Sequence, residues 1–160
     1  MNITLIAAIG KNGELGKNND LIWHFHDDMK FFREQTMGKS MIMGRKTLES
    51  LPKLLPGRKH LVLSHQDIDI EGVEVFHSKE ELLDYLEDSL DEVMVIGGAS
   101  IYKTFLEDAN RLLLTEIDDE CKDADVYFPN FNKDDWASSV LTEKEENHIK
   151  YKHLEYKRKN

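Results

Sequence analysis

The chain has 160 residues, of which 40% are hydrophobic and 32% charged. That length sets the expectation of one domain, 1–160, large enough to bury roughly two-thirds of its unfolded surface without staples. A formal net charge of −10 argues against a general binder of nucleic acid or of membrane surfaces. No apolar run reaches the roughly 18 residues a membrane helix needs, and the first residues lack the pattern of a signal peptide. The single cysteine, Cys121, excludes an internal disulfide and reads as inert among Glu120 and Asp123. A cytoplasmic, monomeric protein is the expectation.

The charge is unevenly placed. From Arg45 to His60 five bases (Arg45, Lys46, Lys53, Arg58, Lys59) face one acid, Glu49, a balance of +4. From Asp67 to Glu92 eleven acids face Lys79 alone, a balance of −10. A positive island on an acidic chain points to a small anionic ligand more than to a polymer.

In chain order, residues 3–9 (I-T-L-I-A-A-I) form an apolar run too short for a helix, hence a buried central strand. Gly10 to Asn19 reads as a loop, with three glycines and three asparagines as breakers, and suits a mobile lid. It is not a P-loop, because Asn18 stands where a magnesium site needs Ser or Thr. Next comes a short helix, with Asp27 as the expected N-cap and Gly38 closing it after Met37. Strands follow at 40–44, 60–64, 73–76, 93–96 and 111–117, with helical segments at 45–51, 79–88 and 99–107. Two strands near 137–143 and 149–157 make an antiparallel finish. Such alternation of strand and helix predicts an α/β fold with a mostly parallel sheet.

The helix after the loop carries an anomaly. Asp28 shares a face with Phe31 and Phe32, and Leu21 and Trp23 lie just upstream. An ionised carboxylate is costly to bury unless paired. Two readings stand at this point: an acidic first turn favouring the helix dipole, or an acid that grips a cationic or amide-bearing ligand.

Three strand-to-helix junctions suit an anion. Ile96-Gly97-Gly98-Ala99 combines glycine backbone with a helix start; Gly44-Arg45-Lys46-Thr47 adds cations and a hydroxyl; Ser64-His65 adds further donors. A dinucleotide spread across all three would be accommodated, although no G-x-G-x-x-G follows any strand. Arg58, after the Pro56-Gly57 turn, is either a surface residue or a fork for a carboxylate. His24 and His26 have no third ligand at metal spacing, so no metal site is expected. Serine or cysteine nucleophile schemes lack their motifs.

The chain resembles dihydrofolate reductase, of the bacterial chromosomal type, from Ile3 to about Arg158. The resemblance is carried by I-A-A (6–8), L-G (15–16), W-x-x-x-x-D (23–28) with F-F (31–32), and M-G-R-K-T-x-E-S (43–50). L-P-G-R (55–58), V-I-G-G-x-x-I-Y (95–102), L-T-x-I-D (114–118) and A-D-V-Y-F-P (124–129) follow in the family's order. The resemblance implies an eight-stranded, mostly parallel sheet with an antiparallel C-terminal strand and about four helices. It also implies NADPH as hydride donor and 7,8-dihydrofolate as substrate, reduced at C6 with protonation at N5 to tetrahydrofolate for one-carbon metabolism. Such enzymes are antifolate targets.

Carried over residue by residue, the resemblance makes Asp28 the acid that holds the pterin, supported by Thr115 and, through a water, by Trp23. Leu21 belongs to the lid over the nicotinamide. Ile6, Ala8, Met29, Phe32, Leu51, Leu55, Ile96 and Tyr102 line the substrate pocket, and Arg58 holds the glutamate tail. The cofactor side takes Ala8, Leu15, Gly16, Gly44, Arg45, Lys46, Thr47, Leu63, Ser64, His65 and the run Ile96, Gly97, Gly98, Ala99, Ser100, Ile101, Tyr102.

The chain departs from the family's pattern at four places. Phe25-His26 replaces Leu-Pro before the acid's helix, Ala99 replaces a glycine, and Ala124 replaces the glycine before Asp125. Ser100 replaces the arginine that some members place by the 2′-phosphate, leaving Arg45, Ser64, His65 and His77 for that task. Two other readings compete with the resemblance. A riboflavin-pathway reductase of the same fold needs neither Asp28 nor Arg58. A non-enzymatic nucleotide-binding domain would tolerate loss of Asp28, Trp23 or Thr115, yet all three are present.

Overall fold

Strand β1 (Asn2–Ile9) is the buried central strand that the apolar run requires, with Ile3 and Leu5 excluded from solvent. In the computed structural model, which describes residues 1–18 and 20–160, parallel partners flank it on both sides: β7 (Glu92–Gly97) and β8 (Arg111–Ile117). Beyond β7 the parallel sheet continues through β4 (Ser40–Gly44), β5 (Lys59–Leu63) and β6 (Val73–Phe76). Beyond β8, β11 (Ile149–Arg158) runs antiparallel and pairs with β10 (Trp136–Glu146). The order is β10-β11-β8-β1-β7-β4-β5-β6. Among the described residues β11 alone runs against the other seven, so the expected eight-stranded sheet with its reversed C-terminal strand is present.

Among the described residues four α-helices pack on this sheet: α1 (His26–Thr36), α2 (Arg45–Ser50), α3 (Lys79–Leu86) and α4 (Ala99–Phe105). The last two are each two residues shorter than expected, and a 3₁₀ turn, Leu106–Asp108, follows α4. Helices α2 and α4 start where the parallel strands β4 and β7 end. Both strand ends, and the helix starts above them, therefore face the same edge of the sheet.

Two expectations are corrected. Residues 10–18 are not a featureless loop: β2 (Glu14–Lys17) pairs with β3 (Asp20–Leu21) and β9 (Val126–Tyr127) in a small second sheet. The cause is the buried Glu14 carboxylate, which accepts the backbone N–H of Asn12 and of Cys121, each at 2.7 Å. Burial pushes its carboxyl up, but these hydrogen bonds outweigh that and hold it below the ordinary value. Asn19, the last residue of the expected loop, lies outside the described residues.

The N-cap of α1 is Phe25, not Asp27. Phe25 is buried and stacked on Tyr151 with ring centroids 4.7 Å apart, which anchors the chain early and lets the helix begin at His26. The free N–H of His26, where the family's proline would have none, donates to Glu146 Oε2 at 2.8 Å. At the other end Gly38, with φ +77°, takes the left-handed C′ position as expected.

Candidate active site

Asp28 sits on the first turn of α1 and points toward β8 and β11. Its Oδ1 accepts a hydrogen bond from Thr115 Oγ1 at 2.6 Å and lies 3.0 Å from Nε2 of His153. The side chain keeps 19% of its exposure, and Thr115 and His153 are buried. An acid held this way keeps a fixed direction, and among the described residues Oδ2 has no protein donor. The acidic-first-turn reading is thus incomplete. Asp28 does lie in the first turn, but its side chain is bonded to the sheet rather than to its own helix.

Trp23 is placed differently from the expectation. Its indole N–H donates to Asp119 Oδ2 at 3.0 Å. That bond, with a backbone N–H from Glu120, holds the Asp119 carboxyl below the ordinary carboxylate value. Trp23 therefore joins the segment before α1 to the loop after β8, and its ring edge closes over Gly10, where a Cβ would come within 2.5 Å of it.

An apolar wall runs from Asp28 along the sheet. Ile6, Met94 and Leu113 form a buried cluster against which Phe31, Phe32 and Ile96 pack. Phe32 and Ile96 also pack on the neighbouring cluster with Leu51 and Leu55, so these residues form one continuous lining. Ala8 lies with Trp23 against Phe25 and Tyr151. Leu21 and Met29 stand apart, 54% and 56% exposed. At the far end Arg58 Nη1 donates to Thr36 Oγ1 at 3.2 Å and its Nε to the Pro56 carbonyl at 3.1 Å. Burial and the nearby Arg33 charge lower its pKa from the ordinary value. Arg58 is a half-buried cation held by two hydrogen bonds.

The strand-end junctions lie side by side. Gly44 and Gly98 are the N-caps of α2 and α4, and neither helix start has a side-chain cap. Gly97 has φ +130°, and a Cβ there would meet Tyr102 Oη at 3.5 Å and Thr47 Oγ1 at 3.6 Å. Thr47 of one junction thus borders the glycines of the other. Arg45 is engaged by Glu49 through two contacts of 2.8 and 2.9 Å, Lys46 and His65 are exposed, and His77 Nδ1 lies 2.8 Å from the Ser64 carbonyl. Leu15, Ile101 and Tyr102 are buried, Leu63 and Ala99 partly so, and Gly16 lies in β2. Tyr102 Oη donates to the Ile6 carbonyl at 2.6 Å, linking the two halves of the cleft. Ser100 is exposed at the start of α4.

The family model described as "Dihydrofolate reductase" matches residues 2–158. The chain belongs to the dihydrofolate reductase family. It is 42% identical over 136 residues to the dihydrofolate reductase of Haemophilus influenzae, covering 85% of this chain and 84% of that one. It is 39% identical over 162 residues to that of Bacillus subtilis, covering 99% and 95%. Among solved structures, dihydrofolate reductase from Enterococcus faecalis complexed with NADP(H) and RAB-propyl superposes with a TM-score of 0.88 at 30% identity, covering 99% of this chain and 97% of that one.

As a dihydrofolate reductase family member the chain is an oxidoreductase, and among the described residues no helix is long and apolar enough to cross a membrane. Three partners around the cleft escaped the sequence reading. His153 and Glu146 lie in the C-terminal hairpin, 125 and 120 residues from the α1 residues they meet. Asp119 lies 96 residues from Trp23. The one available signal was the period-two pattern of β11, which places His153 on the same face as the buried Tyr151.

Proposed function

We propose that residues 1–160 act as one dihydrofolate reductase-like domain that reduces 7,8-dihydrofolate to 5,6,7,8-tetrahydrofolate with NADPH. The reading rests above all on Asp28: a single carboxylate, fixed by Thr115, at the head of an apolar wall that ends at Arg58. In this reading Asp28 accepts from the pterin's amino group and ring N–H and holds negative charge beside the ring as N5 takes its proton. Ile6, Phe32, Leu51, Leu55 and Ile96 hold the pterin and its ring linker in a slot that excludes water, and Arg58 forks onto the tail's carboxylate. Trp23 acts on the lid through Asp119, and Leu21, at the mouth, covers the nicotinamide when that segment closes.

The residues at the strand ends fit a dinucleotide phosphate. Two glycine N-caps leave first-turn N–H groups without side-chain partners, and Gly97's positive φ keeps that surface free of a Cβ. Gly97, Gly98, Ala99 and Ser100 would hold the pyrophosphate with Thr47 and Lys46. Arg45, Ser64, His65 and His77 would take the 2′-phosphate. When bound, NADPH supplies the hydride for pterin C6.

The test is oxidation of NADPH by the purified protein with and without dihydrofolate, repeated with NADH. Dihydrofolate-dependent oxidation that is stronger with NADPH is the expected result. Oxidation that ignores dihydrofolate, or its absence, overturns the reading. Oxidation driven instead by a pyrimidine intermediate of riboflavin synthesis would favour the second enzyme, although Asp28 and Arg58 would then have no role.

A further inference from the structure

Three adjacent strands carry one row of side chains that ends at the pocket acid. Thr142 on β10 is the register partner of His153 on β11, and His153 is the register partner of Thr115 on β8. The row depends on a bulge. The pairing passes from Val140 opposite Leu154 to Thr142 opposite His153, so Leu141 is the extra residue and is turned to solvent. Without the bulge Leu141 would face His153, and no hydroxyl would reach the ring.

His153 is 2% exposed and fixed on every side. Its ring lies flat on Phe31, with centroids 3.9 Å apart and planes 9° apart, and Tyr151 meets it edge-on at 5.7 Å. Nδ1 lies 2.6 Å from Thr142 Oγ1 and Nε2 lies 3.0 Å from Asp28 Oδ1. An ionised carboxylate only accepts, so the proton is on Nε2, and Nδ1 of the neutral ring accepts from the Thr142 hydroxyl. The carboxylate thereby fixes the tautomer, and the Thr142 hydroxyl supplies the matching donor to Nδ1. Both donors to Asp28, Thr115 and His153, meet the same oxygen, Oδ1.

We propose that His153 is a positioning residue for the pocket acid: by occupying Oδ1 with Thr115 it turns Oδ2 to the ligand. The inference rests on the reductase reading of the cleft. The imidazole N–H stabilises the Asp28 carboxylate through Oδ1 and leaves Oδ2 free to accept from a ligand. Lys144 lies 3.9 Å from Asp27. Tyr151, its hydroxyl buried without a partner among the described residues, is pushed up to about 12 by burial and by Glu146, Asp27 and Asp28, and so stays neutral over the working range.

The experiment compares wild type, His153→Phe, His153→Gln and Thr142→Val in the full chain. Phenylalanine keeps the stack on Phe31 and removes the donor, whereas glutamine restores an N–H near the Nε2 position. Binding of a 2,4-diaminopyrimidine and of NADPH is measured by calorimetry at neutral pH, with melting temperature as the control for folding. In His153→Phe, diaminopyrimidine affinity is expected to fall roughly tenfold, as for a lost hydrogen bond to a charged group, with NADPH affinity unchanged. Glutamine should restore most of that affinity, and Thr142→Val should lower it in the same direction by less. Equal loss of both ligands, no change in diaminopyrimidine affinity, or no rescue by glutamine overturns the proposal. If the phenylalanine variant fails to fold, the glutamine and valine variants decide by the same criteria. Since the readout is binding, a wild type that binds the diaminopyrimidine yet lacks dihydrofolate turnover would defeat the functional reading and leave this inference testable.

Discussion

Thr115 Oγ1 lies 2.6 Å from Asp28 Oδ1, although 87 residues separate them in the chain. The contact exists because β8 is inserted beside β1 in the sheet while α1 crosses over it, so a strand hydroxyl meets a helix acid. It turns a surface-type acidic first turn into a directed carboxylate. In Asp28→Asn the shape remains and the charge is lost. The variant should fold with a melting temperature near wild type and lose about 10²–10⁴-fold in turnover at saturating dihydrofolate. Near-wild-type turnover would remove Asp28 from the chemistry.

Ligand charge offers an independent check on the same carboxylate. A 2,4-diaminopyrimidine binding beside an ionised Asp28 should do so with its ring nitrogen protonated. Affinity should therefore decline as pH rises above the free ligand's own pKa, and Asp28→Asn should flatten that decline. Identical profiles for the two proteins would contradict the assignment.

Arg58 is held by hydrogen bonds to Thr36 Oγ1 and the Pro56 carbonyl. Arg58→Leu should weaken dihydrofolate by roughly 10–150-fold, the range for a lost charge-assisted hydrogen bond, and leave NADPH affinity nearly unchanged. Equal weakening of both ligands would mean that the positive island at 45–60 has been divided wrongly between substrate and cofactor.

At the opposite edge of the sheet, Glu92 accepts from Lys39 Nζ and Thr4 Oγ1 at 2.6 Å each and from Arg111 Nη1 at 2.7 Å. Burial pushes its carboxyl up, but these partners outweigh it and hold the pKa at about 2 against an ordinary 4.5. A depressed folded-state pKa gives stability that is complete above the unfolded value and is lost as pH falls through the folded one. The window is therefore about 4.5 down to about 2. Glu92→Gln should cost on the order of 3 kcal/mol at neutral pH, and the difference from wild type should shrink toward zero near the lower limit. Denaturant melts at neutral pH and at successive steps through that window measure it; a pH-independent difference would show that charge is not the cause.

Much was legible in the sequence because it depends on neighbours along the chain. The strands at 40–44, 73–76 and 111–117 were legible with their observed bounds; in 40–44 and 111–117 the run is too apolar for an exposed face and lies inside the sheet, and V-E-V-F at 73–76 is half-buried at its edge. The motifs around Asp28, Arg58 and Gly97-Gly98 carried the resemblance, and the family match over residues 2–158 bears it out. What the tertiary structure alone decided is which distant groups meet. Glu14's burial ordered β2, because its partner N–H lies on Cys121, outside any local window. Glu146 capped α1 in place of Asp27, and Asp119 took the Trp23 indole. His153 reached Asp28 only because β11 pairs with β8 in one register and a bulge at Leu141 sets the other. Periodicity along a chain determines which face a side chain takes; strand order and register determine what stands opposite it, and neither is encoded within reach of a local pattern.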